Sequence, residues 1–325
     1  MLTRPVLEKT PGFLPWLAIQ TLGWLGCLFS AVEYRGYWYA CRWVGSWFTG
    51  KNATCLLELS PDSAFTVSLH DPYWTQLIAE GYHYEDDFAQ TLHRLKSIDF
   101  VFMDCGANFG YWSILLSSKA FGSRQVLAIE ASQTTYQNLM NNCQQNSNRF
   151  VCLHRAISAQ SGETVYIDST RSHAGAHISH EGSDAATSYP VQTIRLDDAV
   201  AENFPELPAR LLIKLDVEGQ EINAFKSARQ IQQKLDVLFY YEDHGKDASC
   251  AVTRYVLEEA NLKVFFCGKD GQIHPIQSVQ DAAQVKVKKS YGYNFFACQP
   301  DSAFMPLLAA KHPETLKKGE PIAIT

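Results

Sequence analysis

The stretch Val101-Phe-Met-Asp-Cys-Gly-Ala-Asn-Phe-Gly110 decides the reading of this chain. Its three leading apolar residues predict a buried strand. Asp104 follows, and then a short loop with glycine at both ends. Gly106 and Gly110 allow a tight turn and a close backbone approach that a side chain would block. Tyr111-Trp-Ser-Ile-Leu-Leu-Ser-Ser-Lys then reads as a helix whose free amides face the same loop. Strand, glycine loop and helix open a nucleotide-binding α/β unit.

The details choose among such units. A dinucleotide fingerprint would be Gly-x-Gly-x-x-Gly, with its backbone against a pyrophosphate. Here the spacing is Gly106-x-x-x-Gly110, and a carboxylate at Asp104 would repel phosphate but suit a cation. The ammonium group of S-adenosylmethionine (SAM) is such a cation. Glu130 ends the next apolar run, Gln125-Val-Leu-Ala-Ile-Glu-Ala, where a carboxylate can take both ribose hydroxyls of an adenosine.

Together with Asp104-Cys-Gly-Ala-Asn-Phe-Gly110, two later segments carry a family likeness: Ile213-Lys-Leu-Asp-Val-Glu-Gly-Gln-Glu221 and Leu196-Asp-Asp-Ala. The chain resembles the FkbM-type SAM-dependent methyltransferases from about Asp71 to Pro300. The resemblance implies an α/β class I methyltransferase (Rossmann-like) fold, a seven-stranded mostly parallel sheet with helices on both faces. It implies methyl transfer to a hydroxyl of a sugar, glycan or secondary metabolite. The cofactor positions it points to are Asp104, Gly106, Ala107, Asn108 and Gly110 at the methionine end, Glu130 and Ala131 at the ribose, Ala156 by the adenine, and Asp216. Tyr84-Glu85 matches the family's lead-in to the first strand, which puts Glu85 at the cofactor mouth; a helix-start acid is the alternative. Asp86 stands where a proline is common.

At 325 residues and 46% apolar, the chain has ample material for a core. Acids outnumber bases 34 to 28, for a net charge of −6 with no basic run, which speaks against nucleic acid as a partner. Nine cysteines lie scattered without a Cys-x-x-Cys pair, an odd set that argues for reduced thiols in a cytoplasmic setting.

Thr10 to Val32 carries no charge, and the apolar run from Phe13 is about long enough to cross a bilayer. Tyr34, Arg35, Tyr37, Trp38, Tyr39, Arg42, Trp43 and Trp47 follow, residues that favour a membrane–water boundary. Three readings stay open for 12–48: helices packed on the catalytic domain or a partner, peripheral membrane contact, or a span. No signal-peptide cleavage pattern follows. Residues 1–70, with a strand pair around Ser60-Pro-Asp-Ser, are read as an N-terminal extension and 71–325 as the methyltransferase domain. Gln76 to Leu95 has helical spacing broken at Gly81.

Strand-like runs at 100–105, 125–130, 151–157, 211–217, 236–242, 263–267 and 293–298 alternate with helical runs near 110–121, 133–146, 220–233 and 249–260. That alternation predicts a mostly parallel sheet covered on both faces. The last two strands read as an antiparallel closing pair joined by a polar loop without a helix. Polar Ser158 to Pro190 is read as an insertion holding one extra strand.

Ligands of open α/β sheets bind beyond the carboxyl ends of strands. Asp104, Glu130, Ala156, Asp216 and Glu242 fall at or near such ends. Lys214, Asp216 and Glu218 alternate, so period two predicts one shared face. Asp216 is read as the catalytic centre, base or acceptor-orienting group, with Lys214 setting its charge state; a structural ion pair is the alternative. His244 is a candidate general base. His173, Glu218 and Glu242 are candidates for the acceptor side, and no metal is expected. Two rivals remain, an NAD-type oxidoreductase and a non-catalytic scaffold or membrane-associated binding protein. The missing third glycine speaks against the first, and the intact acids against the second.

Overall fold

The computed structural model describes residues 4–5, 12–168, 178–179, 188–268 and 271–309. The described residues form two compact units, one reaching to Asp86 together with residues 118–120, the other running from Asp87 to residue 117 and from Phe121 onward.

In the N-terminal unit, the helices Phe13–Ser30 and Tyr37–Gly45 accompany the strands Thr54–Ser60 and Ser63–Ser68 and the 3-10 helix Trp74–Ile78. The segment Gln76 to Leu95, predicted helical, is helical only at this 3-10 turn and again at Asp86–Arg94. Between them Gly81 turns the chain with φ +81°. The long helix buries one stripe, Ala18, Ile19, Leu22 and Gly26. Tyr37 donates its hydroxyl to the Leu22 carbonyl at 2.9 Å, tying the second helix to the first. The long helix is apolar enough to cross a membrane (mean hydropathy 1.3), and 22% of it is buried within the protein.

The larger unit is built on one sheet. Its strands are β1 (Val101–Cys105), β2 (Val126–Glu130), β3 (Val151–His154), β4 (Arg210–Leu215), β5 (Asp236–Glu242), β6 (Lys263–Cys267), β7 (Ile273–Ile276) and β8 (Asn294–Cys298). Across the sheet they run β3-β2-β1-β4-β5-β8-β6-β7. The first five are parallel, and β8 pairs antiparallel with both β5 and β6. This is the class I methyltransferase order with one strand added. The sheet has eight strands rather than seven, because β7 pairs antiparallel with β6 at the edge.

Both faces are covered. Met103, Leu127, Ile213 and Phe239 face Val200, Phe225 and Val256 from the helices Leu196–Asn203, Glu221–Ser227 and Ala251–Glu258. On the opposite face Phe88 stacks on Tyr240 at 4.3 Å and meets Trp112 edge-on at 4.8 Å. Such aromatic pairs add about 0.5–1.5 kcal/mol each beyond the area they bury.

Several expectations need correction. Residues 268–293 contain β7 and the helix Val279–Val285, whose start is fixed by a Ser278–Asp281 capping box; that motif was present in the sequence. The run 151–157 is two strands, since Ala156–Ile157 leaves the central sheet and pairs parallel with Thr193–Ile194 in a separate four-stranded sheet. The helical run 220–233 divides at Ala228. Asp197 accepts the amides of Gln230 and Ile231 at 3.1 and 3.0 Å, which starts a second helix there.

Candidate active site

Strand order reverses between β1 and β4, and the loops leaving those two strands meet there. Asp216 donates its amide to the Cys105 carbonyl at 3.0 Å, while Gly106 and Ala107 donate theirs to Ile129 at 2.9 and 3.0 Å. Gly106 has φ +78°, and the space a Cβ would need there holds the Asp216 carbonyl oxygen. Only glycine satisfies both conditions. Gly110 has φ +88° and caps the helix Tyr111–Leu116, with Leu139 packed where its side chain would be. Asn108, at φ +52°, accepts the amide of Phe109 on its own side chain, which is how asparagine tolerates that conformation.

Glu130 ends β2. One of its carboxyl oxygens accepts the Asn108 amide at 2.9 Å and the other the Ser132 amide at 2.8 Å. A carboxylate has about four lone-pair positions, so roughly two remain for hydroxyl donors. Burial pushes the Glu130 carboxyl up to about 7, against the pull of these amides, with Asp216 adding to the rise. Ala131 lies just beyond, its carbonyl 3.0 Å from His154 Nε2, and the His154 ring stacks on Tyr136 at 4.9 Å. Ser132 caps the helix Gln133–Gln145 and takes the Tyr189 hydroxyl at 3.0 Å.

Asp104 is 2% exposed and accepts the Ser113 hydroxyl at 2.7 Å. Enclosed in this way, it braces the loop from within. Its neighbour across the ladder is Lys214. Burial raises the Asp104 carboxyl, and Lys214 opposes that rise. Lys214, 3% exposed, also donates to Asp216 at 3.1 Å. Asp216 keeps 34% of its side chain open to solvent, so this ion pair has a buried cation and an accessible anion.

The single face predicted for Lys214, Asp216 and Glu218 does not extend that far, because β4 ends at Leu215 and Glu218 turns left-handed at φ +48°. Glu218 nevertheless joins a group of carboxyls. Burial, then Asp216, then Glu221 push it up to about 7. Glu221 accepts the amides of Val217 and Gly219, which closes the turn. Glu242 ends β5, and its carboxyl lies against the Cα of Gly292. His244 accepts the Lys246 amide on Nδ1 at 3.0 Å; burial first, then Lys246 and Lys286, hold its pKa below the usual histidine value.

The structure therefore gathers Asp104, Lys214 and Asp216 into one chain of contacts, Glu130 with Asn108 into another, and Glu218 with Glu242 near Asp216. Ala156 is fully buried in the smaller sheet. Glu85 falls in the N-terminal unit, with φ +49° just before the helix Asp86–Arg94. His173 lies outside the described residues. Sequence reasoning missed Ser113, Ser132 and Tyr189. Ser132 alone carried a local signal, a serine three residues before Thr135, whose amide it accepts. Among the described residues no group of three histidine, cysteine or acid side chains could hold a metal.

Residues 104–261 match the model of the methyltransferase FkbM domain. The chain is 28% identical over 199 residues to hexuronic acid methyltransferase AglP of Haloferax volcanii, covering 61% of this chain and 77% of that protein. Among solved structures, methyltransferase FkbM of Methylobacillus flagellatus KT superposes with TM-score 0.36 at 16% identity, over 61% of this chain and 43% of that one. Precorrin-6y C5,15-methyltransferase of Geobacter metallireducens GS-15 gives 0.37 at 11% identity, over 67% and 90%. Both superpositions are loose, and this chain spans less than half of the first structure. Residues 104–261, which hold the glycine loop, Glu130 and the Lys214–Asp216 pair, are thus similar to the methyltransferase FkbM domain.

Proposed function

We propose that this protein is a SAM-dependent O-methyltransferase whose acceptor is a hydroxyl of a sugar or glycan. The observation that carries the reading is the Glu130 carboxylate at the tip of β2, fixed by two amides and left with acceptor capacity for a ribose diol. Asp104, Gly106, Ala107, Asn108 and Gly110 would hold the methionine end, Ala131 would lie by the ribose, and Ala156 toward the adenine. When bound, SAM supplies a methyl group already activated on a sulfonium. The chain's own residues must then align the acceptor and receive its proton. Alignment alone can contribute on the order of 7–11 kcal/mol.

Asp216 would accept a hydrogen bond from the acceptor hydroxyl, with Lys214 paired beneath it at 3.1 Å. Glu218 and Glu242 flank the acceptor side, and His244 would serve as a donor to it. The sugar class follows from the likeness to AglP, a hexuronic acid methyltransferase.

A peripheral membrane contact is proposed for residues 12–48, supported by Phe13, Trp16, Trp24, Leu28, Tyr39 and Trp43, all largely exposed on two adjoining helices. A cytoplasmic location is proposed because the nine cysteines are unpaired.

Calorimetric titration with SAM tests the cofactor. Incubation with methyl-labelled SAM and a fractionated cell extract tests the acceptor class, with label expected in the glycan or glycolipid fraction. Asp216→Asn is expected to bind SAM as wild type does while losing roughly 100-fold in kcat. No binding heat and no thermal stabilisation by SAM would favour a non-catalytic scaffold.

A further inference from the structure

We propose that Glu242 is the catalytic residue that receives the hydroxyl proton of the acceptor. The assignment rests on the methyltransferase reading above and narrows it to one side chain.

Methylation of a hydroxyl releases a proton. The new bond joins the acceptor oxygen to the methyl carbon, the electron pair of the broken sulfur–methyl bond stays on sulfur, and the proton needs a base. Five groups at the strand tips could serve, and their contacts separate them. Asp216 is paired with Lys214, whose side chain is 4% exposed; protonating Asp216 would leave a buried ammonium without that counter-ion, which is costly. Glu221 is occupied by the amides of Val217 and Gly219. His244 has its Nδ1 lone pair engaged by the Lys246 amide, so the neutral ring presents an N–H at Nε2 and acts as a donor.

Glu242 differs from all three. Its backbone pairs with Asn294 on β8, and its side chain has no hydrogen-bond donor or ion-pair partner among the described residues. The carboxyl sits over Gly292, in space that any Cβ at that position would take. A carboxylate without donors in a poorly hydrated seat is a stronger base than a solvated one. The groups that act on it are Asp216, Glu218 and Glu221, all negative, and Lys214, which opposes them; burial and these charges together push it up to about 8. Glu218 shares the acceptor side, but it turns left-handed beyond the end of β4, with no comparable seat against a glycine among the described residues, and rises less, to about 7. In its ionised form Glu242 can thus take the hydroxyl proton, hold it near neutral pH and yield it to water afterwards.

Two measurements on the whole chain test the assignment. Infrared difference spectra over a pH titration read the carbonyl stretch of protonated carboxyl groups. Wild type is expected to lose one such band near pH 8, and Glu242→Gln to lack it. Gly292→Ala, whose methyl displaces the carboxyl from its seat, is expected to lose the band at lower pH. The second measurement is label transfer from SAM to the glycan fraction. Wild-type rate is expected to rise with pH through about 8. Glu242→Gln should bind SAM normally by calorimetry, lose that pH limb and fall roughly 100-fold or more. A Glu242→Gln variant that keeps the wild-type rate and pH profile, or that still shows the band, overturns the assignment and leaves the methyltransferase reading intact. No label transferred by wild type overturns both.

Discussion

The carbonyl oxygen of Asp216 fills the space that a side chain on Gly106 would need. The first glycine of the ligand loop and the proposed acceptor residue are thus locked together through backbone, at the point where β1 and β4 diverge. Gly106→Ala would force these loops apart and strain a left-handed residue as well. Overpacking of this kind costs about 1–3 kcal/mol. The expected result is a lower denaturant midpoint with weakened SAM affinity, read by urea unfolding and by calorimetry on the same sample.

Glu130→Ala removes the proposed ribose acceptor and also strands the amides of Asn108 and Ser132. Hydrogen bonds to a charged group contribute about 1.5–3 kcal/mol each. SAM affinity should fall roughly ten- to hundredfold, with Glu130→Gln intermediate because its amide oxygen can still accept. Unchanged affinity in the alanine variant would remove Glu130 from the cofactor site.

Lys214→Met takes the cation from between Asp104 and Asp216. Asp104 is buried, so its uncompensated charge should cost about 3–5 kcal/mol at neutral pH. Asp216 is partly exposed and adds little. The loss should shrink as pH falls and Asp104 takes up a proton. Unfolding at two pH values measures the difference.

Glu130, Glu218 and Glu242 all have carboxyls raised in the fold, to about 7, 7 and 8. A raised folded value means that the fold favours the protonated form. Their contribution to stability is therefore present below about 4.5, their ordinary value, and is lost as pH rises through 7 to 8. The ligand-free protein should become less stable over that window. A bound cation favours the ionised forms, so SAM binding should release protons. Calorimetry in buffers of different ionisation enthalpy reads that release directly.

Trp24 and Trp43 are 65% and 58% exposed. Replacing both by serine should weaken co-sedimentation with anionic phospholipid vesicles several-fold. Unfolding should shift by no more than about 0.5 kcal/mol per site. Equal sedimentation of the variant and wild type would argue against the proposed membrane contact.

How far the sequence reached depended on the range of the interaction. The strand, loop and helix around Gly106 were legible because a buried apolar run and two glycines act within ten residues. The end of β4 was misjudged, since the alternation Lys214, Asp216, Glu218 looks like a strand until Glu218 turns left-handed and Glu221 closes the turn with two amides. Likewise the segment between β6 and β8 reads as polar loop, although Ser278 and Asp281 spell a capping box that starts a helix there.

What the chain determines by itself is the alternation of strands and helices, with acids placed where strands end, because periodicity and glycine conformation are local properties. Which acid is buried, which is paired and which is left without a donor was decided only in three dimensions. Asp104 and Glu242 look alike as residues at the ends of apolar runs, yet one is enclosed by Ser113 and Lys214 and the other rests over a glycine fifty residues away. Burial and electrostatic pairing arise from neighbours distant in sequence, so no local pattern could assign them.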